Sequence, residues 1–214
     1  MGFSKRSTET APGTNTAGYV VDYPDATTRR LASRDESGLI TRYPYLLANA
    51  SVAGQTGFAA DTYLAGSNIV IPSAGDWSVG ETYYCMFDMV KTAAGIAQFT
   101  ITVRMGTLGT TSDASILALT FGAGTAAIDD GTFEVWLTFR TVGTGTTAVI
   151  QGQASCRHAL AATGLTNTGA SGNGSIRGTS SGFNSSTQTI LGLSVNGGAS
   201  FAGTNTLVQS QLTK

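Results

Sequence analysis

The chain has 214 residues, of which 41% are hydrophobic and only 12% charged, about half the usual charged share of ~25%. Twenty-eight glycines with only 4 prolines exclude a collagen-like or polyproline chain. A formal net charge of −1, with the 12 Lys and Arg dispersed along the sequence, gives no basic stripe of the kind a nucleic-acid binder carries, and no apolar run of ~18 residues offers a membrane-spanning helix.

In chain order, Met1 is followed by the polar stretch GFSKRSTETAPGTNT. It has no apolar h-region, so no secretory signal is expected and the protein is expected to fold where it is made. Segment 1–18 reads as disordered until a partner orders it. Charge is concentrated at this end: segment 1–45 holds 11 of the 25 charged side chains, although it is barely a fifth of the chain. Segment 27–41, TTRRLASRDESGLIT, reads as a short hairpin turning at Asp35-Glu36-Ser37-Gly38. The composition shift marks residues 1–60 as an extended N-terminal arm and 61–214 as a separate domain. Tyr43–Val52 is the best helix candidate, but it lacks a 3.6-residue period.

Beyond residue 61 the pattern is strands and glycine-rich turns. In 132–140, TFEVWLTFR, the residues Phe133, Val135, Leu137 and Phe139 share one face, and Thr132, Glu134, Trp136, Thr138 and Arg140 share the other. Segment 82–90 places Tyr83, Cys85, Phe87 and Met89 inward. Segment 98–105 places Phe99, Ile101, Val103 and Met105 inward and Arg104 outward. Further strands are expected at 67–71, 115–121, 147–157, 188–195 and 203–212. Segment 164–186 reads as a long polar loop, either mobile or a contact surface. The fold class that follows is all-β: a single jelly-roll-like antiparallel β-sandwich of about eight strands with an extended N-terminal arm.

The outward faces carry Thr, Ser, Gln and Asn with few charges. A free β protein ordinarily uses charge to protect its faces and edges, so this composition favours a chain covered by neighbours. Trp136 falls on a polar face, where it suits an interface contact or a sugar ring.

Reactive chemistry is sparse. The single His158 lies two residues from Cys156 with no orienting acid in view, and no GxSxG elbow is present. Cys85 and Cys156 read as two buried thiols; a disulfide would require Cα atoms about 4.4–6.8 Å apart. Asp129-Asp130-Gly131 reads as a turn in preference to a weak calcium site. No catalytic residue, cofactor or metal ligand is assigned.

The runs DTYLAGSNIVIP (61–72), VGETYYCMFDMVKTAAGIAQFTITVRMGTLGTTSDASIL (79–117) and TFGAGTAAIDDGTFEVWLTFRTVGTGTTAVIQG (120–152), with HALAATGL at 158–165, resemble β-rich structural proteins of tailed bacteriophages. TRRLASRDESGLIT resembles the leading hairpin of phage appendage proteins. The resemblance implies a non-enzymatic virion protein: a capsid decoration or head fibre, or a tail fibre or adaptor. With the composition, it also implies a homotrimer made in the host bacterial cytoplasm and bound to other virion subunits through its arm. Arg29, Arg30, Arg34, Asp35 and Arg42 are the expected polar contacts of that attachment. The alternative is a carbohydrate-binding module acting as a receptor-binding tip for a host surface glycan. It is motivated by Trp136, Trp77, Tyr83, Tyr84 and loop 164–186.

Overall fold

The structure is a computed structural model describing residues 21–24, 31–34, 40–42, 46–51, 54–71, 73–93, 95–160, 163–166 and 173–213. The chain divides into two compact units, Met1–Tyr45 and Leu46–Lys214. In the first, β1 (Val21–Pro24), β2 (Leu31–Arg34) and β3 (Ile40–Arg42) form an antiparallel sheet in the order β1-β2-β3. Ser33 pairs with Asp22 on one side and Thr41 on the other. The expected hairpin strands therefore pair as β2 and β3, with a third strand added. The expected turn at 35–38 and segment 1–18 lie outside the described residues, as do Arg29, Arg30 and Asp35. Arg34 and Arg42 are strand residues of β2 and β3.

The second unit is a sandwich of two antiparallel sheets. Its strands are β4 (Leu46–Ser51), β5 (Thr62–Tyr63), β6 (Ile69–Val70), β7 (Thr82–Lys91), β8 (Gln98–Gly106), β9 (Ala114–Ala123), β10 (Asp129–Thr141), β11 (Val149–His158), β12 (Asn173–Thr179), β13 (Ile190–Asn196) and β14 (Gly203–Thr213). The larger sheet runs β12-β11-β10-β7-β14-β4. The smaller runs β5-β13-β8-β9, with β6 beside β13 on the same edge as β5. Ser67 bridges the gap between β5 and β6: its hydroxyl donates to Leu64 O at 2.7 Å and accepts from Leu193 N at 3.0 Å. As in a jelly roll, the chain crosses between sheets repeatedly, at β4–β5, β6–β7, β7–β8, β9–β10, β12–β13 and β13–β14. The three-strand meander β10–β11–β12 stays within one sheet.

All eight expected strands of the sandwich are present. Others fall where none was expected. Besides the short β5, Leu46–Ser51 pairs with β14, with Leu47 opposite Leu212, so the expected boundary at residue 60 lies inside the second unit. Asn173–Thr179, inside the expected polar loop 164–186, pairs with β11 along its length.

Glycine explains why β12 escapes pattern reading. Gly178 pairs with Gly152 of β11. A Cβ at Gly152 would lie 2.6 Å from Leu117 Cδ2, and one at Gly178 would lie 2.9 Å from Leu117 Cδ1. Leu117, from the opposite sheet, rests on this glycine pair. The strand gives up its own apolar period so that the sheets can approach closely there.

Period-two alternation places the core as expected. Phe133, Val135, Leu137 and Phe139 are fully buried, as are Tyr83, Cys85, Phe87, Met89, Ile101, Val103 and Met105. Phe133 is the centre of an aromatic cluster joining the sheets. It stacks on Phe87 of its own sheet at 5.1 Å and on Phe99 of the other at 4.5 Å, and Phe121 meets it edge-on at 5.5 Å. Trp77 stacks on Phe139 at 5.0 Å.

Arg104 keeps the alternation but not the exposure expected of an outward residue. It points outward from β8, yet it is buried. Its guanidinium donates to Ser194 Oγ at 2.7 Å, Thr111 O at 2.8 Å and Asp113 O at 2.7 Å, and pairs with Asp61. The 107–113 turn folds back over the sheet and supplies two of the partners that a buried guanidinium requires, with Ser194 and Asp61 supplying the others.

Because Phe133 touches three rings in two sheets, Phe133→Ala should lower the unfolding free energy by about 3–5 kcal/mol, and the outward-facing Trp136→Ala on the same strand by less than ~1 kcal/mol. Urea unfolding followed by circular dichroism measures both.

Candidate functional site

Three groups of side chains invite a functional reading. The first surrounds His158. Its Nδ1 lies 2.7 Å from Asp129 Oδ2, and both side chains are fully buried. What His158 exposes is main chain. Asp129 also accepts from Leu160 N at 3.2 Å and from Leu165 N at 2.9 Å. Asp129 is thus the orienting acid that the sequence did not reveal: it lies on a different strand and is brought beside His158 by the pairing of β10 with β11. Asp129-Asp130-Gly131 is neither a turn nor a calcium loop: it begins β10, with Asp129 buried and Asp130 exposed. Among the described residues no group of three or more His, Cys, Asp and Glu is placed to hold a metal.

Lys91, at the end of β7, belongs to the same buried region. Its ammonium donates to Gly95 O at 2.5 Å, to Gly164 O at 3.0 Å and to Thr125 O. Desolvation pulls its pKa below the usual lysine range, and the Asp129 carboxylate opposes that shift. One cation therefore ties together three loops, near residues 95, 125 and 164. With no solvent access to the imidazole, this constellation has the geometry of a structural clasp, not of a site for substrate.

The cysteines are the second group. Both are free and buried, and burial pushes the pKa of each thiol up to about 12. The thiolate needed for nucleophilic attack is thereby suppressed.

The third group lies on the outer face of the larger sheet. Strand register builds a row across it: Gln211, Tyr84, Trp136, Gln153 and Arg177 are successive cross-strand neighbours. Trp136 is half-buried, and its ring lies 5.2 Å from that of Tyr84, tilted at 46°. The Tyr84 hydroxyl donates to Glu134 Oε1 at 3.1 Å, and desolvation together with this bond raises its pKa to about 12. Arg177 Nε donates to Gln153 Oε1 at 3.1 Å. Two hollows of about 230 and 370 Å³ meet at Trp136 and Gln153.

The other aromatic candidates are not at this site. Tyr83 is fully buried, with its hydroxyl donating to Ser67 O at 2.5 Å. Trp77 is core, its Nε1 donating to Gln188 O at 2.9 Å. Alternation separates them: Tyr83 and Tyr84 occupy opposite faces of β7.

No family model matches the sequence, and no curated protein matches it. Among solved structures, the chain is similar at 9% identity and a TM-score of 0.21 to the structure of the infectious bursal disease virus Gx strain, covering 82% of this chain and 44% of that one. It is similar at 9% identity and a TM-score of 0.20 to a mutant VP2 protein of the same virus in derived T=1 particles, covering 82% and 42%. The chain spans less than half the length of either.

The buried acid can be tested directly. Asp129→Ala removes the acceptor shared by His158 and two loop amides, and should cost about 3–5 kcal/mol in urea unfolding, whereas Asp130→Ala next to it should change stability by less than ~0.5 kcal/mol.

The raised pKa values set an alkaline limit. The two thiols stay protonated in the folded chain up to about 12 but ionise near 9.0 when unfolded. Tyr63 and Tyr84 behave likewise between 10.0 and about 12. The unfolded chain therefore releases protons first, and stability falls as pH rises from about 9 to 12. Melting temperature against pH should show this fall. Replacing both cysteines by alanine should remove the part that begins near pH 9 and leave the tyrosine part that begins near 10.

Proposed function

We propose that this chain is a non-enzymatic structural protein of a tailed-bacteriophage virion, attached through its N-terminal unit and presenting the sandwich outward. The observation that carries the reading is the chemistry of three of the sheet edges; at the remaining edge, β12, Arg177 is the one charged residue. β9 (ASILALTFGA) and β4 (LLANAS) are edge strands of ten and six residues without one charged side chain, and the two-residue edge strand β5 has none either. A sandwich free in solution protects such edges with charge. A subunit in an assembly leaves the task to its neighbours.

Exposed apolar residues support the same reading. Ile96 and Ile128 are each about two-thirds exposed (65% and 68%). They sit on two of the three loops that Lys91 ties together, and Gly124 N donates to Ala97 O at 3.1 Å between those two. This end of the sandwich is an apolar contact held on a stiff base. Attachment through Arg29, Arg30, Arg34, Asp35 and Arg42 places the charge-rich unit against another virion protein, and a homotrimer covers the uncharged edges. A head fibre or capsid decoration and a tail fibre or adaptor fit these features equally. A second reading, a carbohydrate-binding receptor tip, is favoured by the Trp136–Tyr84 pair on the outer face.

Deletion of residues 1–45 should leave the sandwich's melting transition in place and abolish incorporation into particles. Incorporation at the full-length level would refute attachment through this unit. Cryo-electron microscopy of the particles should show the chain on the capsid lattice or at the tail, and its absence from purified particles would refute the virion reading.

A further inference from the structure

We propose that the outer face of the larger sheet around Trp136 binds an acidic polysaccharide, with Trp136 under a sugar ring and Arg140, Arg157 and Arg177 on its carboxylates. The proposal rests on the second reading above, a sugar-binding sandwich, and names the class of its ligand.

The argument begins from where the sandwich keeps its cations. Leu46–Lys214 contains six: Lys91, Arg104, Arg140, Arg157, Arg177 and Lys214. Lys91 and Arg104 are buried and fully engaged with protein groups, and Lys214 lies outside the described residues. The three that remain are all exposed, and all line the hollows that meet at Trp136. Arg140 and Arg177 flank the hollow of about 230 Å³, and Arg157 lines the one of about 370 Å³. They lie on three adjacent strands and are well separated in sequence, so only the sheet register gathers them.

The groups are held in place. Gln153 fixes Arg177 at Nε. Tyr84 flanks the indole, and its own hydroxyl is tethered to Glu134. Glu134 is the one carboxylate lining these two hollows, and its second oxygen faces the Ser155 hydroxyl at 3.4 Å. Asp88 and Asp130 line the next hollow, which Arg157 borders as well, so the arginines stand without further carboxylates only at the Trp136 end.

This chemistry is specific in kind. An indole face packs on the C–H groups of a pyranose ring, and guanidinium forks match carboxylates in two-point hydrogen bonds. Hollows that run into each other across the strands suit a polymer lying along the sheet. Single-stranded nucleic acid fits less well, because its phosphates require a continuous basic groove, and here Glu134 lies among the arginines while Asp88 and Asp130 close off the groove past Arg157.

The test is titration of the purified full chain with polygalacturonate and with polysialic acid at low salt. Dextran and single-stranded DNA are the comparisons, and tryptophan fluorescence and calorimetry are the readouts. The expected result is binding of at least one acidic polymer, with quenching and loss at high salt, and no binding of dextran. Trp136→Ala and Arg177→Gln should each weaken it by about tenfold or more with the melting transition retained. Dextran bound as tightly as the acidic polymers, and lost in Trp136→Ala, would overturn the acidic ligand while the sugar-binding reading stands. No polysaccharide bound would overturn both. DNA bound as tightly as the polysaccharides, or acidic-polymer binding unchanged in both variants, would overturn the proposal. So would a Trp136→Ala variant that loses its oligomer and keeps its glycan affinity.

Discussion

The sandwich is held at its centre by one side chain. Phe133 stacks on Phe99 across the interface and on Phe87 within its own sheet, and receives Phe121 edge-on. Rings in contact at 4.5–5.5 Å set how far apart the sheets stand, and neighbouring contacts must conform to that distance. Where a bulky residue from one sheet meets the other at close range, as Leu117 does, the opposing strands yield to glycine. Where space allows, Trp77 fills it against Phe139. Once the inward positions of β7, β8 and β10 are committed to this packing, their alternate positions must face outward. That forced outward set includes Trp136, Glu134 and Tyr84.

The strands that meet the aromatic cluster were legible in the sequence because a sheet buried on one face writes a period of two into its residues. TFEVWLTFR, TYYCMFDMV and QFTITVRM carry it, and their buried residues are the ones expected. β12 and β4 were not legible. NGSIRGT offers glycine where a strand normally shows an apolar side chain, and LLANAS has no alternation, so the composition of neither segment reveals its pairing. Arg104 obeyed the alternation and was buried anyway, because a turn from later in the chain covers that part of the outer face.

The site residues were partly legible for the same reason. Trp136 could be placed on an outward face from its own strand, but its neighbours could not. Tyr84, Gln153 and Arg177 come from segments far apart in the chain, and only register places them in one row. The arginines, dispersed along the chain, looked like an absence of charge patterning; in the fold they converge. The Lys91–Asp129–His158 region was invisible for the same cause. It joins loops distant in sequence, and nothing in the residues around His158 pointed to Asp129.

The alternation along β10 separates two kinds of selection on neighbouring residues. Phe133, Val135, Leu137 and Phe139 answer to the interior, and any change there is felt across both sheets. Glu134, Trp136, Thr138 and Arg140, one position away in each case, answer only to what the surface meets. A lineage under pressure to recognise a changed partner could rewrite the second set, residue by residue, without disturbing the first. The backbone stays put while the chemistry it displays drifts. A flat sheet face is in this sense an evolvable surface with a built-in safeguard, and its pace of change would be set by the partner, not by the stability of the fold.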